Sequence, residues 1–141
     1  MNGYLVDTNV VSELRKGARG NVNVRRWFQS VDENTIFLSV LVTGEIRRGI
    51  EALRKRDPHS ASVLERWLDS LVQAHSERVL PVDAATADEW GRLDARGSLP
   101  VVEGLLAATA RVHDLTLVTR NVKDVVRTGV DLLDPFAPPA H

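Results

Sequence analysis

Five side chains in this sequence combine into a set that can do chemistry: Asp7, Glu45, Glu103, Asn121 and Asp124. Four are acids and one is an amide. Carboxylates held close together repel, so they must either take up protons or share a cation. A divalent cation removes the conflict. Mg²⁺ favours octahedral oxygen ligation, usually one or two carboxylates with waters and substrate phosphates, and Mn²⁺ accepts a similar oxygen set. Such an ion acidifies a water nucleophile and stabilises charge on phosphoryl oxygens. The expected chemistry is metal-dependent hydrolysis of a phosphodiester. The rest of the composition narrows the choice in the same direction. The chain has no cysteine, which excludes thiolate metal sites, a cysteine nucleophile and disulfide frameworks. Its four histidines, His59, His75, His113 and His141, are scattered, so a histidine-rich metal site is not expected.

The elements around these residues place them at one edge of a sheet. Tyr4-Leu5-Val6 reads as a buried strand with Asp7 at its C-terminal end, followed by a helix from Asn9 to Leu14 with Gly17 soon after. Val24, Trp27, Phe28 and Val31 have the spacing of a second short helix. Thr35 to Leu38 is β-branched and aromatic and predicts a strand. Val42, Ile46, Ile50 and Leu53 then mark one apolar helix face, with Glu45 off that stripe near the helix start. Asp57-Pro58 opens the next helix, as N-cap and first helical residue, and Val63, Leu64, Trp67, Leu68, Leu71 and Val72 form its stripe. Pro81 limits a strand at Val79 to Val82 to an edge or a connector. Asp83 caps a helix that carries Trp90 and Leu93 and stops near Gly97. A further helix, opened by Ser98-Leu99-Pro100, runs through Glu103 to about His113 and is rich in small residues. Thr116 to Thr119 is a strand ending at Arg120-Asn121. A short helix from Val122 to Arg127 and a last strand at Asp131 to Leu133 follow, and the Pro-rich tail from Pro135 to His141 is expected to fray.

Strands alternating with helices predict an α/β fold with a central, mostly parallel sheet of about 4–5 strands and helices on both faces. In such sheets ligands bind beyond the C-terminal ends of the strands, where the starts of the following helices also lie. Asp7, Asn121 and Asp124 stand at or beyond strand ends, and Glu45 and Glu103 near helix starts. Each has a plain alternative role. Asp7 can cap the helix after it, Glu45 and Glu103 can answer helix dipoles, Asn121 can serve a turn, and Asp124 can cap or face solvent. Only the set as a whole points to a site.

The chain's 141 residues suit one domain, residues 1–141. Net charge is −1, so global charge does not advertise a nucleic-acid binder. Local basic groups, Arg15-Lys16, Arg25-Arg26, Arg47-Arg48 and Arg54-Lys55-Arg56, are either solvated helix faces or a basic rim for a phosphate backbone. Met1-Asn2-Gly3-Tyr4 opens without a basic or apolar leader, and no apolar run approaches the roughly 18 residues of a membrane span. A cytoplasmic protein with no membrane partner is expected.

Three blocks of this sequence resemble PIN-domain ribonuclease toxins of the VapC type. Tyr4-Leu5-Val6-Asp7-Thr8-Asn9-Val10-Val11-Ser12-Glu13-Leu14 is similar to their opening strand and first acid. Leu38-Ser39 with Gly44-Glu45-Ile46-Arg47-Arg48-Gly49-Ile50 is similar to the second-acid segment. Gly104 to Ala110 with Leu115-Thr116-Leu117-Val118-Thr119-Arg120-Asn121 is similar to the third and fourth. Order and spacing agree from Tyr4 to about Pro135. The resemblance implies a PIN-like fold and makes Asp7, Glu45 and Glu103 the metal-site acids, with Mg²⁺ as cofactor and Mn²⁺ as a plausible substitute. Asn121 falls where many relatives have a fourth acid, and Asp124 is near enough to assist. Thr8, Asn9 and Thr119 are the supporting residues, the two threonines as orienters of an acid or a water. It further implies an RNA substrate, a homodimer, and a cognate VapB-like antitoxin joined in a heterotetramer or larger assembly. One departure stands out: the third acid of the family is usually Asp, and here it is Glu103.

Two other functions compete with this one. A weakened PIN domain would bind RNA or antitoxin without efficient cleavage, and Glu103 and Asn121 motivate it. Another doubly wound domain is disfavoured. No Gly-x-Gly-x-x-Gly follows the first strand, and a haloacid-dehalogenase-like phosphatase wants an acid where this chain has Asn9.

Overall fold

In a computed structural model of the chain, residues 3–138 are described. The sequence features of Met1, Asn2, Pro139, Ala140 and His141 therefore lie outside the described residues. Five strands form one sheet: β1 (Gly3–Val6), β2 (Ile36–Ser39), β3 (Val79–Leu80), β4 (Leu115–Val118) and β5 (Leu132–Leu133). Their order across the sheet is β3-β2-β1-β4-β5, and every pairing is parallel. The three central strands share one pattern, in which the first, third and fourth residues are buried and the second is half-buried. A parallel sheet covered on both faces has this signature. The helices that cover it are α1 (Thr8–Arg15), α2 (Val22–Ser30), α3 (Val40–Arg54), α4 (Pro58–Ala74), α5 (Ala84–Arg96), α6 (Val101–Val112) and α7 (Val122–Val125).

Local sequence explains the helix starts. Asp57 accepts from Ser60 N at 3.1 Å with Pro58 at the first turn. Asp83 accepts from Thr86 N at 3.0 Å and Ser39 from Leu41 N at 3.0 Å. Each cap satisfies a donor that the helix leaves open, worth about 1 kcal/mol. Pro81 does end β3, and β3 is an edge strand paired only with β2. The last helix is shorter than its apolar pattern suggests: α7 stops at Val125 and tightens into a 3₁₀ turn over Val126–Thr128.

The core lies where α6 meets the sheet. Leu106, Ala107, Ala108 and Ala110 pack in one cluster with Leu5, Val6, Val10, Leu38, Leu117 and Val118. The small residues let α6 approach closely. Gly104 is part of this device, because a Cβ there would lie 3.0 Å from the Trp90 ring of α5. A smaller apolar cluster, Ile50, Ala61 and Leu68, joins α3 to α4.

The first two residues of the tail expected to fray, Pro135 and Phe136, are docked instead. Pro135 is buried, Phe136 packs on the core, and the Phe136 carbonyl accepts from Asn23 Nδ2 at 2.9 Å. The reason is that Phe136 supplies an aromatic side chain to bury and Asn23 supplies a donor for its backbone. Among the described residues no helix is long and apolar enough to cross a membrane.

Candidate active site

The chain runs β1 to β2 to β3 in one direction across the sheet, then returns to place β4 on the other side of β1. The crevice at such a reversal is where open α/β sheets bind ligands. Val6 and Val118 are paired in register, so Asp7 and Thr119 leave the sheet side by side. Asp7 N continues the ladder by donating to Val118 O at 2.9 Å. The Asp7 carboxylate is then held from three directions. Oδ1 accepts from Thr8 N at 2.7 Å, the N-cap bond of α1. Oδ2 accepts from Thr119 Oγ1 at 2.8 Å and more loosely from Asn9 Nδ2 at 3.4 Å. Only 8% of Asp7 is exposed. Burial pushes its pKa up, with the Thr119 and Thr8 hydrogen bonds opposing and the charge of Glu45 adding to the rise.

Two further acids reach the same cleft. Glu45, in the second turn of α3, accepts from Thr8 Oγ1 at 2.6 Å through Oε1. Glu103, in the first turn of α6, accepts from Asn121 Nδ2 at 2.8 Å through Oε1. Its Oε2 is buried and has no hydrogen-bond partner. Burial pushes the Glu103 pKa up, and the charges of Asp124, Asp7 and Glu45 push it further, against the Asn121 hydrogen bond. The loop after β4 completes the frame. Thr119 Oγ1 accepts from Asn121 N at 3.1 Å, and Asn9 Oδ1 accepts from Arg120 N at 3.3 Å. Thr119 therefore ties Asp7 to the residue that ties Glu103.

The cleft is about 560 Å³ and is lined by Asp7, Thr8, Asn9, Glu45, Glu103 and Asn121, with an apolar wall of Pro100, Val101, Val102 and Leu106. Of the sequence-predicted residues, Asp7, Glu45, Glu103 and Asn121 line it. Thr8, Asn9 and Thr119 bond directly to its acids or its loop. Asp124 is exposed and does not line the cleft, but it acts on Glu103 through charge. The expected three-acid cluster is not drawn tight. Among the described residues no three His, Cys, Asp or Glu side chains are grouped closely enough to hold an ion. Thr8 and Asn121 grip Glu45 and Glu103 by one oxygen each, which lets like charges share a cleft without meeting.

Sequence reasoning did not single out the apolar wall. It is built by the Pro-Val-Val run that opens α6, where Val101 is 59% exposed although it is apolar. Three of the nine residues of the proposed basic rim are engaged in ion pairs elsewhere. Arg47 and Arg54 pair with Glu51 and Glu65 on α3 and α4, and Lys16 pairs with Glu13.

Comparison with known proteins gives a consistent result. The PIN domain family matches residues 4–128. "Toxin FitB" of Neisseria gonorrhoeae is 28% identical over 137 residues, covering 94% of this chain and 97% of that protein. "VapC ribonuclease Y4jK" of Sinorhizobium fredii is 30% identical over 141 residues, covering 95% and 98%. Among solved structures, FitAcB from Neisseria gonorrhoeae superposes with a TM-score of 0.86 at 27% identity, over 94% of this chain and 98% of that one. FitAB bound to an IR36 DNA fragment gives a TM-score of 0.88 at 26% identity, over 98% and 99%.

Proposed function

The chain belongs to the PIN domain family, and from that premise we propose that it is a metal-dependent endoribonuclease, the toxin of a type II toxin–antitoxin system. It acts as one domain in the cytoplasm, hydrolyses RNA phosphodiester bonds, and is silenced by a cognate VapB-like antitoxin. Its assembly is a homodimer, joined with the antitoxin in a heterotetramer or larger. The observation that carries this is the chain of hydrogen bonds by which Thr8, Thr119 and Asn121 hold three acids from separate segments in one cleft.

The residues fit a hard divalent ion. The donors are all oxygens, and burial together with neighbouring acids disfavours the charged forms of Asp7 and Glu103 when no cation is present. The buried Glu103 Oε2 has no protein partner to satisfy it. Asp7, Glu45 and Glu103 would hold Mg²⁺ or Mn²⁺ once drawn closer together than they stand among the described residues. When bound, the ion supplies charge neutralisation at the phosphoryl oxygens and a more acidic water. The protein supplies position. Thr119 and Thr8 N fix both oxygens of Asp7, Thr8 Oγ1 fixes Glu45, and Asn121 fixes Glu103. Glu45 Oε2 is left to orient water toward an in-line phosphodiester. The apolar wall limits water on one side of the cleft.

The test is incubation of purified protein with total RNA, with and without Mg²⁺ or Mn²⁺, beside Asp7→Ala. Cleavage that needs the ion and vanishes in Asp7→Ala, with the circular dichroism spectrum unchanged, supports the proposal. Undiminished cleavage by Asp7→Ala defeats it. The second function, a PIN domain that binds RNA or antitoxin without efficient cleavage, is favoured by the loose grouping of the acids. Titration calorimetry that finds no Mg²⁺ or Mn²⁺ binding would select it.

A further inference from the structure

We infer that Arg120 is a substrate-positioning residue: its backbone is tied into the loop that frames the acidic cleft, and its guanidinium, laid on the Phe136 ring, takes an RNA phosphate beside the one that is cut. The inference rests on the ribonuclease function proposed above.

The cleft has an electrostatic problem. RNA is a polyanion, and Asp7, Glu45 and Glu103 line the place where its backbone must sit, with Asp124 close by. A cation at the edge is needed to draw the strand in. Eight of the 18 lysines and arginines are already engaged. Arg47, Arg54, Lys16, Arg92 and Arg111 are in ion pairs. Arg25, Arg78 and Arg127 donate to backbone carbonyls.

Arg120 differs in three ways. Its chain neighbours are Thr119 and Asn121, and its backbone N donates to Asn9 Oδ1 at 3.3 Å, so it is built into the frame of the site. Its side chain is exposed and makes no salt bridge to the other described residues. Its Cζ lies 4.0 Å from the centroid of the Phe136 ring. Its charge is felt at Glu13, and Glu13 is already bonded to Lys16 Nζ and Asn21 N.

Stacking has a geometric consequence. The ring engages the flat face of the guanidinium and leaves the N–H fork at its edge open for a planar or tetrahedral oxyanion. It also confines a long side chain in advance, so less conformational freedom is lost when a phosphate binds. The platform is itself anchored. Phe136 N donates to Asp134 Oδ1 at 2.9 Å, and its carbonyl accepts from Asn23 Nδ2 of α2. The docked tail thus holds the ring that holds the arginine. Lys123 and Arg48 also stand near the acids in sequence, but neither rests on an aromatic ring among the described residues.

The experiment measures binding of a single-stranded RNA across a salt series in chelator, and cleavage kinetics with Mn²⁺. It compares wild type with Arg120→Ala, Arg120→Lys, Phe136→Leu and Arg66→Ala, the last a cation on α4 outside the cleft. Arg120→Ala is expected to weaken binding roughly tenfold and to reduce the slope of log affinity against log salt by about 0.7. Its KM should rise while kcat holds. Arg120→Lys should restore the slope but only part of the affinity. Phe136→Leu should lose about two- to fivefold, and Arg66→Ala should match wild type. An Arg120→Ala protein with wild-type affinity and slope overturns the inference, and so does an equal loss in Arg66→Ala. RNA binding without any cleavage would sink the ribonuclease function while the affinities still decide the role of Arg120. No RNA binding by wild type would sink both.

Discussion

Asn121 donates its side-chain amide to Glu103 Oε1 at 2.8 Å, while Oε2 of the same carboxylate is buried with no partner. The two oxygens of one acid are therefore in opposite conditions. One is neutralised by a dipole, and the other faces the charges of Asp124, Asp7 and Glu45. Asn121 reaches Glu103 because its own backbone N is pinned to Thr119 Oγ1, the hydroxyl that also holds Asp7. Asp7 and Glu103 are thus positioned by one three-residue turn after β4.

Replacing the amide by a fourth acid should make the cleft more dependent on a cation. Asn121→Asp loses the donor to Glu103 and adds a like charge beside it. In chelator the variant should melt several degrees below wild type, and Mn²⁺ should raise its Tm by more than it raises that of wild type. A thermal-shift series with and without Mn²⁺ measures this. Equal responses of the two proteins would mean that residue 121 does not face the cation.

Glu103→Asp is expected to maintain or increase metal-dependent cleavage. Shortening the side chain withdraws the carboxylate from Asn121 by about one C–C bond and frees it to follow the ion, which is strict about ligand geometry. Single-turnover cleavage of one RNA with Mg²⁺ is the measurement. A clear loss of rate would show that the site is built around the longer acid and its amide partner.

Thr8 tests whether Glu45 needs its tether. Thr8→Val keeps the shape of the side chain and removes the 2.6 Å bond to Glu45 Oε1. Misplacing a catalytic group by about 1 Å can cost roughly a hundredfold in rate. Thr8→Val is therefore expected to lose one to two orders of magnitude in kcat, and Thr8→Ser to keep most of it. Unchanged kcat in Thr8→Val would remove Glu45 from the chemistry or show that it finds another support.

Much of this arrangement was legible in the sequence. Tyr4-Leu5-Val6 before Asp7, and Leu117-Val118 before Thr119, are apolar runs that end on polar residues, the pattern of parallel strands whose ends carry function. The caps Asp57 and Asp83 were readable because capping is local chemistry. Three features were not readable, each for a physical reason. Phe136 docks because Asn23, more than a hundred residues earlier, bonds its carbonyl, and no local pattern encodes that contact. Val101 and Val102 look like ordinary helix residues until the cleft is formed beside them. The looseness of the acid cluster depends on side-chain hydrogen bonds from Thr8 and Asn121, which spacing alone does not fix.

The pH dependence of stability follows from the direction of two shifts. Asp7 and Glu103 both have pKa values above their ordinary 3.8 and 4.5 in the folded protein. Protonation is thus easier in the folded state than in the unfolded one. The stability this adds is fully present below the ordinary carboxylate values and is lost as pH rises through each raised pKa. The ion-paired acids Glu51, Glu65 and Glu89 shift the other way, so the wild-type profile alone mixes the two effects. A difference between variants separates them. Glu103→Gln keeps an acceptor for Asn121 and removes the charge that burial and three neighbouring acids oppose. In chelator at pH 7.5 its Tm should exceed that of wild type by a few degrees, the shift that about 1 kcal/mol produces in a domain of this size. The gap should close as pH falls toward 4, where wild-type Glu103 carries a proton, and Mn²⁺ at pH 7.5 should reverse the order. Glu103→Gln melting below wild type in chelator at pH 7.5 would mean that the Glu103 charge is already balanced within the protein, with no cation required.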